Sequence, residues 1–422
     1  MRDTPEVVIT GIGIVSSIGI GQEAFWKSLL AGSSGVKTIE AFDASSLPVR
    51  FGAHIPDFDP KLYIRPRKSL KVMSREIQMG FAAADMAMID ASLATGTVDP
   101  DRFGVVFGSD MIYADLEDLE GTYRRCITAG HFDFSCWAEA AAEELQPLWL
   151  LKHLPNMTAS HIAIAQDARG PNNSIVLGDV SSLLAISEAT SVIQRGWADV
   201  MLVGGSGCRL HPNALVARGD GLLSHRSHDF QKASRPFDRD RDGLVNGEGA
   251  GVFVLESLAH AKRRGGRIHA RILGTASRCE SRHNGTPLSG RSLVGVIQAI
   301  LRNTSLTPTD IGHINAHGAS SIEVDRVEAA AIAATLGDIP VTAPKSFFGH
   351  LGAGSGVTEL AVSILGIEHG VVPYTLNYDH PDPLCPVNVV HNVPLRGRPP
   401  VAISLNLAST GQAAAVMIAA AE

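Results

Sequence analysis

Five cysteines, Cys126, Cys136, Cys208, Cys279 and Cys385, are the first candidates for nucleophilic or metal chemistry in this sequence of 422 residues. Their number is odd and no C-x-x-C pair occurs, so neither a disulfide framework nor a zinc site is expected, and the pattern fits a reducing compartment. The run SRPFDRDRDG is a second candidate, because Asp238, Asp240 and Asp242 alternate there with Arg239 and Arg241. Carboxylates at that spacing can hold a hard cation, but alternating signs favour a salt-bridged loop, and no metal is assigned. A third candidate is one carboxylate, Asp179 in SIVLGDVSSLLAIS. It stands where an extended run gives way to a helical one, and there it can cap the helix by accepting from the amides of Ser181 or Ser182. The fourth is basic: Arg65, Arg67, Lys68, Lys71 and Arg75 are separated only by serine, proline and apolar residues. Such a run reads either as a solvated helix face or as a docking surface for an acidic partner.

These residues need a scaffold, and the hydrophobic pattern supplies one. Val7 to Thr10 and Phe103 to Phe107 read as strands, with a helix at Gln22 to Leu30. A strand at Ser174 to Leu177, a helix at Ser181 to Gln194 and a strand at Asp199 to Val203 form one continuous unit. After strands at Gly251 to Leu255 and His269 to Leu273 the alternation resumes. It gives helices near Leu293 to Arg302 and Val324 to Leu336, and strands at Ile314 to Ala316, Val401 to Ser404 and Ala414 to Ile418. Alternation of this kind predicts an α/β architecture with mainly parallel sheets covered on both faces. No sequence repeat or Pro/Ser-rich linker divides the chain, and residues 111–158 read as a less periodic, aromatic-rich insertion suited to an interface or lid. With 36 basic against 43 acidic residues the formal charge is −7, which leaves no electrostatic footprint for nucleic acid. The opening MRDTPEVVITGIGIV lacks a signal peptide's layout and no run approaches a bilayer span, so a cytoplasmic protein without membrane contact is expected.

Four stretches, in matching order, resemble the β-ketoacyl synthases of the elongating type, members of the thiolase superfamily. They are VVITGIGIVSSIGIGQEAFWKSLLAGSSGV at the start, SRPFDRDRDGLVNGEGAGVFVLE at Ser234 to Glu256, NAHGASSIEVD at Asn315 to Asp325, and PKSFFGHLGAGSG at Pro344 to Gly356. The resemblance implies a thiolase-like fold of two similar βαβαβ-type halves forming a five-layered core, with halves at residues 1–256 and 257–422, assembled as a dimer. It also implies that His317 and His350 are the family's two catalytic histidines and Lys345 its lysine, with Glu328 supporting the site. In such enzymes a cysteine takes an acyl group from an acyl carrier protein. The histidines promote decarboxylation of a malonyl thioester, and the resulting enolate extends the chain. A helix N-terminus lowers the thiol's pKa, elbow amides hold the oxyanion, and imidazole N–H groups meet the charge that develops on the thioester oxygen.

Counted from Gly170 and Pro171, the cysteine's place is taken by Asp179, and no neighbouring cysteine restores the count. Two threonines expected near the pantetheine arm are Ala319 and Ser321, and the aromatic C-terminal gate is replaced by SLNLASTGQ, with Asn406 and Ala408 lining the substrate side. Condensation through cysteine is therefore expected to be absent, and no cofactor is expected. An ionised Asp179 about 5 Å from the reacting carboxylate repels it by roughly 3 kcal/mol at an effective dielectric near 20, on the order of a hundredfold in rate. Paired with a protonated histidine or with Lys345, the same carboxylate would instead form a neutralised cluster. Several readings follow: an acyl or malonyl thioester protein served by an acyl carrier protein that docks on Arg65 to Arg75, decarboxylating at most; a non-catalytic partner comparable to a chain-length factor, in a heterodimer with a cysteine-bearing ketosynthase or else a homodimer; and, last, a noncovalent hydrolase or acyltransferase using Asp179 with His317.

Overall fold

The computed structural model describes residues 4–281 and 287–421. Eleven strands carry the architecture. In the first half they are β1 (Val7–Ser16), β2 (Phe103–Ser109), β3 (Asn172–Val176), β4 (Val200–Cys208) and β5 (Glu248–Ser257). In the second they are β6 (Ala270–Cys279), β7 (His313–Asn315), β8 (Pro340–Thr342), β9 (Asn388–Val389), β10 (Val401–Leu407) and β11 (Gln412–Ala419). Their hydrogen-bonded order is β9-β8-β7-β10-β11-β6-β1-β5-β4-β2-β3. Read outward from the β1–β6 junction, the halves are copies: β1-β5-β4-β2-β3 on one side and β6-β11-β10-β7-β8 on the other. The pairing senses also agree, antiparallel for the two inner contacts and parallel for the two outer ones. Mainly parallel sheets were expected, whereas the sheets are mixed. The helix-crossed strands pair in parallel, while β5 and β11 return antiparallel between their neighbours and the first strand of each half.

Only three residue pairs, Val7 with Ile272, Val8 with Arg271 and Ile9 with Ala270, join the halves edge to edge. Two helices, α4 (Ser181–Gln194) and α7 (Ser355–Glu368), lie between the half-sheets and touch strands of both. Helices α2 (Arg75–Asp90) and α3 (Met157–Gln166), which follow α1 (Gln22–Ala31), cover the first half-sheet from outside, while α5 (Arg291–Thr304) and α6 (Ile322–Leu336) cover the second. The result is five layers, with an apolar core on each side of each half-sheet. In α7 every residue from Ser355 to Gly366 is buried, as a central layer requires. The 111–158 segment is an excursion between β2 and α3. It holds two short helices, Leu116–Arg125 and Trp137–Glu144, and a small hairpin, and Phe132 of that hairpin and Phe134 just after it are exposed.

Candidate functional site

Asp179 sits on a single helical turn, Gly178–Val180, between β3 and α4, and the turn is reached through a left-handed Gly178 with φ of 59°. The residue does not cap the helix, as sequence alone suggested. Val180 occupies the cap position without a side-chain bond, and Ser181 Oγ ties the elbow together, accepting from Leu177 N and lying 2.7 Å from the Gly178 carbonyl. The Asp179 carboxylate is drawn instead to Arg209, the first residue after β4, whose Nη2 lies 2.5 Å from Oδ1. Its Oδ2 lies 3.5 Å from His350 Nε2. Burial opposes charge on this carboxyl, but Arg209 and then His350 outweigh it and hold the acid well below the usual carboxylate range. Asp110, beyond β2, continues the chain of charges, with Oδ2 at 3.8 Å from Arg209 and 3.0 Å from Arg218.

The two histidines meet Asp179 from the other half and from the loop before α7. His317 follows β7, and its amide and that of Gly318 donate to the two oxygens of Glu328 at 2.7 and 2.8 Å. His350 follows a short helix, Lys345–Phe348, and its ring stands edge-on to His317 at 5.6 Å between centroids. The Nδ1 atoms of both rings face donors: Gly352 N at 3.2 Å for His350, and Lys345 Nζ at 3.2 Å for His317. Each neutral ring must then carry its proton on Nε2, the atom left for the cavity. Burial keeps both rings neutral. It pushes His350 down to about 4 against the pull of Asp179, and together with Lys345 it drives His317 well below its ordinary value. Lys345 pairs with Glu359 of α7 rather than with Asp179, so the site contains two separate ion pairs. Asp179, His317 and His350 have potential ligand atoms within 4.8 Å of one another. As a metal set they fit poorly, because both Nε2 atoms are protonated and Arg209 and Lys345 place two cations beside them.

A cavity of about 230 Å³ opens onto Asp179, Arg209, His317 and His350, with Ala319, Ser321 and Ala408 along its walls. Two family descriptions match the chain that builds it: "Beta-ketoacyl synthase, N-terminal domain" over residues 4–261 and "Beta-ketoacyl synthase, C-terminal domain" over residues 269–379. The chain belongs to the β-ketoacyl synthase family. Among family members it is 37% identical to the tetracenomycin polyketide synthase ketoacyl synthase alpha subunit of Streptomyces glaucescens, over 97% of this chain and 96% of that one. It is 34% identical to 3-oxoacyl-[acyl-carrier-protein] synthase 2 of Synechocystis sp., over 91% and 90%. The ishigamide ketosynthase/chain length factor structure superposes with a TM-score of 0.87 at 28% identity, covering 99% of this chain and all of that one. The thiolase-like fold expected from sequence is thus the fold observed, and the chain is a ketosynthase homologue of fatty acid or polyketide type.

Within this ketosynthase frame the structure gathers Asp179, His317, His350 and Lys345 at one point, with Glu328 fastening the His317 loop. Among the described residues none of the five cysteines lines the cavity. Ser321 reaches it, although its hydroxyl also caps α6 by accepting from Val324 N. Asn406, placed by sequence among the substrate contacts, is fully buried behind His317, where its Nδ2 donates to Glu359 at 2.7 Å. The sequence treated the basic run as one surface. Arg65, Arg67, Lys68 and Lys71 are exposed, but Arg75 turns inward, where Nε lies 2.6 Å from Glu248 and Nη2 donates to the Ile55 carbonyl. In SRPFDRDRDG, Asp238 and Asp240 stand with His380 so that their potential ligand atoms lie within 4.8 Å of one another, and Asp238 is also tied into its own fold. Asp238 accepts from the amides of Asp240, Asp379 and His380, and Arg241 pairs with Asp382 and Asp325. Sequence reasoning missed Arg209 and Glu359. No motif marks Arg209, whereas a glutamate in the apolar stretch SGVTELAVSILG was a visible signal, since an unpaired carboxylate is costly there.

Proposed function

We propose that this family member binds short acyl or malonyl thioesters presented by an acyl carrier protein and processes them, if at all, without a covalent acyl-enzyme, decarboxylation being the reaction its groups can support. The observation that carries this reading is the pair of neutral imidazoles that line one cavity, their rings 5.6 Å apart, with the Nε2–H of His317 turned to the cavity and that of His350 shared with Asp179 Oδ2 at 3.5 Å. In decarboxylation the bond from Cα to the carboxylate breaks, carbon dioxide leaves, and the electron pair becomes an enolate whose charge rests on the thioester oxygen. Two N–H donors aimed there stabilise that charge, and a solvent proton at Cα completes an acetyl thioester. The repulsion expected from an ionised Asp179 is largely offset, because Arg209 makes the carboxylate one end of an ion pair. A carboxylate is a poor acyl carrier, since attack would create a mixed anhydride, so no acyl adduct is expected. Arg65, Arg67, Lys68 and Lys71 are the proposed landing site for the acidic carrier.

The second reading is a partner subunit comparable to a chain-length factor, in a heterodimer with a cysteine-bearing ketosynthase. It is favoured by the likeness to the ishigamide ketosynthase/chain length factor and by the Asp179–Arg209 pair where a nucleophile would stand. Intact-mass spectrometry with acyl and malonyl carrier proteins separates the two. Loss of carbon dioxide without an adduct, abolished in His317→Ala, supports the first. No turnover alone, with turnover or altered product length once a cysteine-bearing homologue is added, supports the second. An acyl adduct on this chain would sink both.

A further inference from the structure

A second cavity, of about 260 Å³, lies on the other side of the chain segment that carries Arg209. Cys208 and Leu210 line that second cavity, while Arg209 between them lines the first, as alternation at the end of β4 dictates. The segment after β2 borders both features. Asp110 joins the charge chain beside Asp179, and Ile112, two residues on, faces the second cavity along with Phe42 and Leu116. At the Arg209 segment the barrier is one residue thick, and it is braced by the ion pairs Asp179–Arg209 and Asp110–Arg218, with Arg209 reaching toward both acids. Gly352 makes room for it: its φ is 61°, and a Cβ there would stand 3.0 Å from Arg209 Nε. The wall is held from three sides, by β2, by β4 and by the loop before α7.

We infer that the Asp110–Arg209–Asp179 ion-pair chain is a specificity wall that closes the thioester cavity from the second cavity behind it, whose lining mixes Phe42, Ile112 and Leu116 with Arg75, Glu76 and Glu248, so that the site accepts acetyl- or malonyl-sized groups and rejects long acyl chains. This rests on the proposed thioester-binding reading and narrows it to a substrate class. A twelve-carbon chain would have to break the buried Asp179–Arg209 ion pair or leave its methylenes in water, and either penalty exceeds the discrimination on the order of tenfold that one misplaced methylene gives in an apolar site.

The test measures chain-length preference rather than affinity alone, because a site merely loosened by mutation would lose all ligands together. Carrier protein bearing amide-linked acetyl, malonyl or dodecanoyl pantetheine is titrated calorimetrically into the full-length wild type and into the double variant Asp179→Asn/Arg209→Met. The double variant removes both charges of the pair and leaves Asp110 to Arg218, so it avoids an orphaned buried ion. The wild type should bind the acetyl and malonyl forms at least tenfold more tightly than the dodecanoyl form. The variant, whatever its absolute affinity for the acetyl form, should lose or reverse the ratio between acetyl and dodecanoyl forms. Equal wild-type affinity for dodecanoyl and acetyl forms overturns the wall by itself, whether or not the variant folds, and so does an unchanged ratio in a folded variant. Failure of the wild type to bind any acylated or unacylated carrier, or acetyl-pantetheine alone, defeats the underlying functional reading and the wall with it.

Discussion

Asp179 and Arg209 show how a buried carboxylate requires a second group to make it tolerable. A carboxylate buried beside two neutral imidazoles would be driven to protonate, yet the adjacent guanidinium keeps it charged. The surroundings that favour an anion at that point, a helix N-terminus and Arg209, would favour a thiolate as well. Asp179→Cys is therefore expected to gain one rapidly alkylated thiol. Iodoacetamide labelling followed by peptide mass mapping should place it at position 179, at rates well above those of the five native cysteines near neutral pH. A rate no faster than that of a free thiol would mean that the elbow does not activate a nucleophile. The place of Asp179 on its elbow was legible from the sequence because a strand, a turn and a helix of fixed length lead to it. Its partner was not legible, because Arg209 comes from a different strand thirty positions later and only the folded sheet brings β3 and β4 to either side of β2.

Elements were read more reliably than the contacts between them. The helix at Ser181 to Gln194 matches α4 residue for residue, since a strong apolar period is bounded there by a glycine-containing elbow and an Arg-Gly stop. The sense of strand pairing was not legible: helix crossings predict parallel neighbours, and nothing local in β5 or β11 announces their antiparallel return. The buried charges within the helices carry predictions of their own. In α7, Glu359 is fully buried and supplies the counter-charge to Lys345, while burial raises the acid's pKa against that pull. Glu359→Leu should leave the lysine unpaired and destabilise the fold by about 3–5 kcal/mol, measured as a drop in melting temperature. At the ends of α2 and α7, His269 is enclosed between Asp90 at 2.8 Å and Glu368 at 2.7 Å, with Arg267 on Glu368. Burial opposes charge on His269, but the two carboxylates raise its pKa overall, and burial of those acids is likewise outweighed by the histidine, which lowers theirs. The stabilisation from His269 is complete below its ordinary value near 6.5 and fades as pH rises through the raised one. That from the two acids is present above about pH 4 and fades as pH falls. His269→Gln should therefore lower the melting temperature more at pH 6 than at pH 9, and an equal deficit at both would show that the imidazole is neutral in the fold.

At the scale of the whole molecule the duplicated strand order was reached through the family resemblance and not through any repeat of residues, because each half keeps its topology without keeping its residues. That order leaves β3 as the outermost strand of the first half, bonded to β2 on one side only. Every other consideration in the fold covers such an edge, since a free row of amides and carbonyls invites another chain. Here the edge is flanked by apolar side chains in the open: Val176 and Leu177 are nearly half exposed, and Ile164 on the adjoining α3 is 78% exposed. The described part of the chain has no helix long and apolar enough to cross a membrane, so a bilayer-spanning helix does not account for them. The proposed pairing of two chains does, if β3 meets the β3 of a second copy or the matching strand of a cysteine-bearing ketosynthase in a continuous sheet. Val176→Lys places a charge in that seam, and its effect distinguishes a true edge-to-edge interface from a surface that is only apolar. Sedimentation velocity should show the wild type at twice the chain mass of 44.6 kDa, alone or with its partner, and the variant at the single-chain mass with the same melting behaviour of its core. A variant that still sediments as a pair would put the interface elsewhere, with the exposed aromatics of the 111–158 excursion as the next surface to test by Phe134→Glu.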